Sequence, residues 1–211
     1  DRNPGQHSYV YNPLYNTRLN VKDETSYDDL TNLFGIDWSI IEGLRLKGTF
    51  SFTRQHTATD VFKPGMHTDF AGLTGDDYER RGSYKASRGD SFSYDGSLVL
   101  SYFTQMDKHV INANLGWNIQ QEQNTTFTVK AEGFPNDNLD YISFGTQYEK
   151  GGSPSGDEYT SRLVGFLGNV NYSYDERYLL DLSFREDASS RFGAKKRWAP
   201  FWSAGLGWNV H

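Results

Sequence analysis

Arg45, Lys47, Asp95, Asp181 and Arg185 stand at alternating positions opposite runs of Leu, Ile, Phe and Tyr. Successive side chains of a strand point to opposite faces, so this spacing builds one charged, wettable surface and one apolar surface. Charges placed this way either pair across neighbouring strands or select a passing solute by its sign; pairing is the simpler expectation. A second group, Phe134, Tyr141, Phe144, Tyr148 and Trp198, lies in or beside long polar stretches. Such rings stack on sugars or contact a partner, or they pack loops on one another, and packing is the simpler reading here too.

Other chemistries find little support. The histidines, at 7, 56, 67, 109 and 211, show no i,i+4 pairing and no companion Cys, so no metal site is expected. Asn136-Asp137-Asn138-Leu139-Asp140 faintly resembles a calcium loop, but Tyr141 takes the Gly position and no Glu closes it. Gly152-Ser153-Pro154-Ser155-Gly156 has the wrong spacing for a nucleophile elbow and reads as a flexible loop. Asp76, Asp77 and Glu79 have the residue types of a glycosidase pair, yet an exposed acidic loop is commoner. No nucleophile with its base and no Gly-rich phosphate signature is present, so neither an enzyme nor a bound cofactor is expected. A net charge of -6 argues against nucleic acid, and zero Cys excludes thiol chemistry and disulfides.

The elements that must position these residues are strands. Leu30 to Trp38 alternates, Ile40-Ile41-Glu42-Gly43 turns, and Leu44 to Phe52 returns. The same pattern gives a hairpin over about 92–120, another over about 163–187, and a last strand at 201–210. Between them, 55–90 and 125–160 read as long polar loops, and 1–26 as a further loop. The expected fold is all-β, an antiparallel meander of about seven strands. Connections alternate short and long, as they do between the two sides of an outer-membrane barrel. After Trp38 the apolar parity carries no charge within these strands, while Trp38, Tyr102, Tyr172, Tyr174 and Tyr178 gather beside the short turns as an interfacial girdle would. Aromatics make up 16% of the chain although mean hydropathy is only -0.72, which suits rings against lipid and polar groups against a wet interior. The chain begins at Asp1 and stops in mid-pattern, so it reads as an internal or processed piece.

Val170-Asn171-Tyr172-Ser173-Tyr174-Asp175-Glu176-Arg177-Tyr178-Leu179-Leu180, Asp187-Ala188-Ser189-Ser190-Arg191-Phe192-Gly193, Arg197-Trp198 and Phe201-Trp202-Ser203-Ala204-Gly205-Leu206-Gly207-Trp208 are specific. Together they resemble the barrel of SusC-type (SusC/RagA-like) TonB-dependent transporters, outer-membrane nutrient importers of Bacteroidetes. The likeness is strong over 162–210 and looser over 26–54 and 92–120; the long loops match nothing in it. Ala188 stands where that family usually has Gly, and Trp202 where it usually has Pro.

The resemblance implies a 22-stranded barrel with an internal plug, no plug being visible in this chain. It implies uptake of a glycan or peptide, energised through TonB-ExbB-ExbD, with a SusD-like surface lipoprotein as lid. Expected surroundings are a lipid bilayer on one face and the lumen on the other, with no nucleic acid partner. An isolated piece is expected to bury its former lipid face by folding over on itself or by self-association. The alternative is a soluble β-sandwich that binds carbohydrate through its loop aromatics.

Overall fold

The computed structural model describes residues 12–193 and 197–210; the histidines at 7 and 211 lie outside them. Seven long strands form one antiparallel meander: β1 (Lys22–Ile41), β2 (Leu44–Lys63), β3 (Ser83–Met106), β4 (His109–Glu132), β6 (Ser155–Tyr174), β7 (Tyr178–Ser189) and β8 (Trp198–Trp208). A two-residue β5 (Gln147–Tyr148) pairs with the end of β4.

Strands reach well into the stretches read as loops. Within 55–90, β2 runs on to Lys63 and β3 begins at Ser83; within 125–160, β4 runs on to Glu132 and β6 begins at Ser155. β1 likewise begins at Lys22, inside the stretch read as an opening loop. The alternation is interrupted at the start of these extensions by small and polar residues on both parities (Thr57-Ala58-Thr59-Asp60, for example) and resumes only briefly, as at Phe127, Val129 and Ala131. Their Thr and Val residues nonetheless suit extended backbone.

Short turns close three hairpins. Gly43 has φ 77° and Asp107 φ 50°, while Asp175 and Glu176 both have φ 53°. Positive φ at both central residues is what a type I′ turn requires, and that turn matches the twist of the strands it joins. The Arg177 N–H closes it on the Tyr174 carbonyl at 3.0 Å. At Gly43 a Cβ would lie 2.2 Å from the Phe103 carbonyl oxygen, so only glycine fits.

The chain divides into two units. A short-turn region comprises Asp29–Gln55, Ser91–Asn124 and Glu158–His211; a loop region comprises Asp1–Asp28, His56–Asp90 and Thr125–Asp157. In the short-turn region the register preserves parity. Tyr172, Leu180 and Leu206 are successive cross-strand partners, as are Asn171, Asp181 and Gly205. The only buried residues described there are glycines, Gly48, Gly96, Gly116 and Gly165. The loop region holds a core of Phe62, Tyr84, Ala86, Ala131 and Phe134, with Val129 and Ile142 packed against it. The Phe62 and Phe134 rings meet edge to face at 5.1 Å.

Candidate functional site

The first feature is the two-faced wall of the short-turn region. On its polar parity, Arg45 donates through Nε to Asp37 Oδ1 at 2.6 Å and forms a second bond through Nη2. Arg185 grips Asp187 in the same two-pronged manner at 2.6 and 3.0 Å. Asp181 accepts from Asn171 at 2.6 Å, and Ser183 meets Ser203 at 2.7 Å. The wall's charges are thus partly paired, Arg45 across strands and Arg185 along its own strand. Lys47 and Asp95 have no ionic partner among the described residues.

The apolar parity is bare. Leu115, Trp202, Leu206 and Trp208 are all more than half exposed, and Phe34, Ile36, Phe50, Leu98, Trp117 and Ile119 line an open apolar hollow of ≈ 400 Å³. A run of exposed Leu, Ile, Phe and Trp along one face marks a surface built to be covered.

At one end of five strands its extent is limited by charge. On the apolar parity, Asp28 precedes Leu30, Arg54 follows Phe52, Asp90 precedes Phe92, Arg162 precedes Val164 and Glu186 follows Phe184. The apolar stretches 44–52, 92–102, 111–119 and 164–174 that remain match the roughly 9–11 residues with which a tilted barrel strand crosses a bilayer. β3 and β4, at 24 residues each, have over twice that. No helix among the described residues is long and apolar enough to cross, which leaves crossing by strands untouched.

The second feature is the loop region. Phe134 is buried in the aromatic core, so packing rather than stacking on a ligand is its role. Tyr141, Phe144 and Tyr148 are exposed along the segment that follows, and Ile142 between them anchors that segment on the core. Trp198 belongs to the short-turn region, on the apolar parity, where it stacks on Phe166 at 6.3 Å. Four of the five aromatics thus fall in the loop region and Trp198 in the short-turn region.

Residues that periodicity missed hold this region together. Arg80 donates to Glu132 at 3.1 Å, to Gln147 at 2.8 Å and to the Tyr148 carbonyl at 2.8 Å. Asn16 and Thr68 exchange two hydrogen bonds at 2.7 and 3.1 Å. Arg88 takes both oxygens of Asp60 at 3.0 Å, and the Tyr84 hydroxyl donates to Asp60 as well. Burial, aided by that carboxylate, pushes the Tyr84 phenol up to about 12. Asp137 accepts from the Met66 N–H at 3.3 Å across a polar cleft of ≈ 970 Å³. Among the described residues no cluster of His, Asp or Glu is arranged to hold a metal ion.

A long antiparallel meander with one bare apolar band and one wet, ion-paired face is a piece of transmembrane barrel wall. No family model matches the chain. It is 27% identical over 193 residues to the TonB-dependent receptor P3 of Formosa agariphila, covering 89% of this chain and 18% of that protein. Over 48 residues it is 46% identical to the TonB-dependent receptor SusC of Bacteroides thetaiotaomicron, covering 23% of this chain and 5% of SusC. Among solved structures, one of the RagAB peptide transporter matches 92% of this chain and 21% of that chain, with a TM-score of 0.69 at 22% identity; this likeness shows the fold. The curated homologues are TonB-dependent receptors, SusC among them, and the resemblance to the SusC type stands. The chain spans about a fifth of the length of the relatives that match it over most of its own length.

Proposed function

We propose that the chain forms barrel wall and extracellular connections of an outer-membrane TonB-dependent importer of nutrients, glycan or peptide. The observation that carries this is the bare apolar band, whose uncharged stretches of about 9–11 residues suit a tilted strand crossing a bilayer and end in a charge on their own parity at one end of five strands. The apolar parity lies against lipid and the polar parity against the lumen of a barrel that, by analogy with the SusC type, has 22 strands. The polypeptide beyond Lys63 and beyond Glu132 lies outside the cell, because long barrel connections are extracellular. The full-length protein works with a SusD-like surface lipoprotein and is energised by TonB-ExbB-ExbD, partners that the likeness to SusC and the RagAB transporter supports. The isolated chain leaves β1 and β8 with free edges beside bare rings and, in detergent-free buffer, covers that face by folding over on itself or by association; light scattering with hydrogen exchange that shows a stable monomer with the apolar parity open to water refutes the membrane reading itself.

The direct test is a cysteine introduced at Ser153 of the full-length protein. A membrane-impermeant maleimide labels it in intact cells if the orientation is right. Labelling that needs lysis inverts it.

A further inference from the structure

A second cleft of the loop region has a volume of ≈ 500 Å³. Lys63 at the end of β2, Lys85 near the start of β3 and Lys130 near the end of β4 all line it, on three neighbouring strands. Lys63 donates to Asp69 at 2.5 Å, and Lys130 pairs with Glu149. Both acids come from the connections, Asp69 between β2 and β3 and Glu149 just after β5. Lys85, exposed, has no acidic partner among the described residues.

An exposed lysine is ordinarily just a solvated charge. Lys85 differs in its frame. Two ion pairs fix its flanks, so a ligand meets neighbours that are already ordered and loses less entropy on binding. Three ammonium groups against two carboxylates leave one positive charge in a chain whose net charge is -6. One positive charge suits a monoanion better than a phosphate dianion. Ser83, Ser153 and Ser155 line the same cleft and supply hydroxyl donors.

We propose that this cleft is a subsite for a carboxylate group of the transported oligomer, with Lys85 as its charged contact. The inference rests on the importer reading. It places the subsite on the polar parity, which that reading assigns to the wet side. A carboxylate reaches it from an acidic peptide or from a uronate-bearing oligosaccharide.

Calorimetry on the full-length protein in detergent tests it, with tetraglutamate and trigalacturonate as probes and tetraglutamine and maltotriose as their neutral counterparts. One acidic probe should bind about tenfold or more tighter than its counterpart, and which one does so identifies the source. Lys85→Gln should remove that advantage and Lys85→Arg should keep it. Equal binding of acidic and neutral probes, no binding by either, or an unchanged Lys85→Gln overturns the subsite. The heat-dependent gel shift of folded barrels shows whether Lys85→Gln still assembles. A wild-type protein absent from the outer membrane altogether overturns the importer reading instead.

Discussion

The short-turn and loop regions draw on the same strands, yet they treat the apolar parity in opposite ways. In the short-turn region that parity carries Leu, Ile, Phe and Trp that nothing in the chain covers, and the only described residues with full burial are glycines tucked beneath larger neighbours. In the loop region the same numbering parity carries Phe62, Tyr84, Ala86 and Ala131, and there the chain covers them itself with Phe134 and Ile142. Charge follows the same division. Asp60 and Arg88 form a hydrogen-bonded ion pair on that parity in the loop region, whereas the band 92–102 carries none on it. A sheet in water must bury its apolar residues within the protein, while one in lipid leaves them bare and excludes charge. On the importer reading, one set of strands answers to two solvents.

The largest effect should come from the core that the chain supplies for itself. Phe62→Ala empties a fully buried site and should cost about 3–5 kcal/mol. Hydrogen exchange on the full-length protein should show it as faster exchange confined to the ends of β2, β3 and β4, with the membrane band unchanged. Acceleration in both regions would mean that they do not respond to separate solvents. Next comes a charge placed in the band. Lys at Leu115 or Leu182 should hinder assembly by about 2–4 kcal/mol near the midplane, while Lys at Asn114 or Asp181 should be tolerated. Recovery of folded barrel from membranes measures both, and equal recovery of the two sets would end the assignment of faces. Smaller again is Gly43→Ala, which combines a positive φ with a Cβ against the Phe103 carbonyl. Strain of about 1–3 kcal/mol should slow assembly. The equivalent change at Gly72, where a Cβ meets nothing within 4 Å, should not.

How much of this was legible in sequence follows the same division. Where one face meets lipid, alternation is strict, and runs such as Phe92 to Tyr102 or Tyr178 to Phe184 announce both strand and face. Beyond the band the pattern is interrupted, because small and polar residues stand on both parities before the core residues resume. Thr57-Ala58-Thr59-Asp60 and Asn124-Thr125-Thr126 look like loop, although the backbone is extended through them. The burial of Phe134 was equally hidden, because it depends on Phe62 and Tyr84, which are far away in the chain. Arg80 ends the short turn Gly75–Arg80, outside any strand, and Lys85 is one polar residue of an alternating run, so no spacing rule could single either out. The ion pair of Arg45 with Asp37 follows from the hairpin between β1 and β2. The Gly43 turn was readable from glycine alone.

The smallest predicted effect is a pH response in the loop region that the band should lack. His67 is nearly buried, and its Nδ1 accepts from the Asp69 N–H at 3.2 Å, capping the short turn Thr68–Phe70. That bond needs a neutral ring. Burial pushes the His67 pKa below its ordinary 6.5, with Lys63 acting in the same direction; the Asp69 carboxylate, 3.4 Å from Nδ1, opposes them but does not prevail. Since the folded pKa is the lower one, the unfolded state binds the proton first. Stability is therefore full above about pH 6.5 and declines as pH falls from there through the folded value. Asp69 is itself held below the usual carboxylate range, chiefly by its hydrogen bond from Lys63, so it stays ionised in this window and its own contribution is lost only at lower pH. Hydrogen exchange around Thr68–Phe70, corrected for intrinsic rates, should quicken modestly between pH 7.5 and 5 while 164–174 stays flat. His67→Gln cannot take up that proton and should abolish the difference. A response that survives the substitution would assign the sensitivity to some other group.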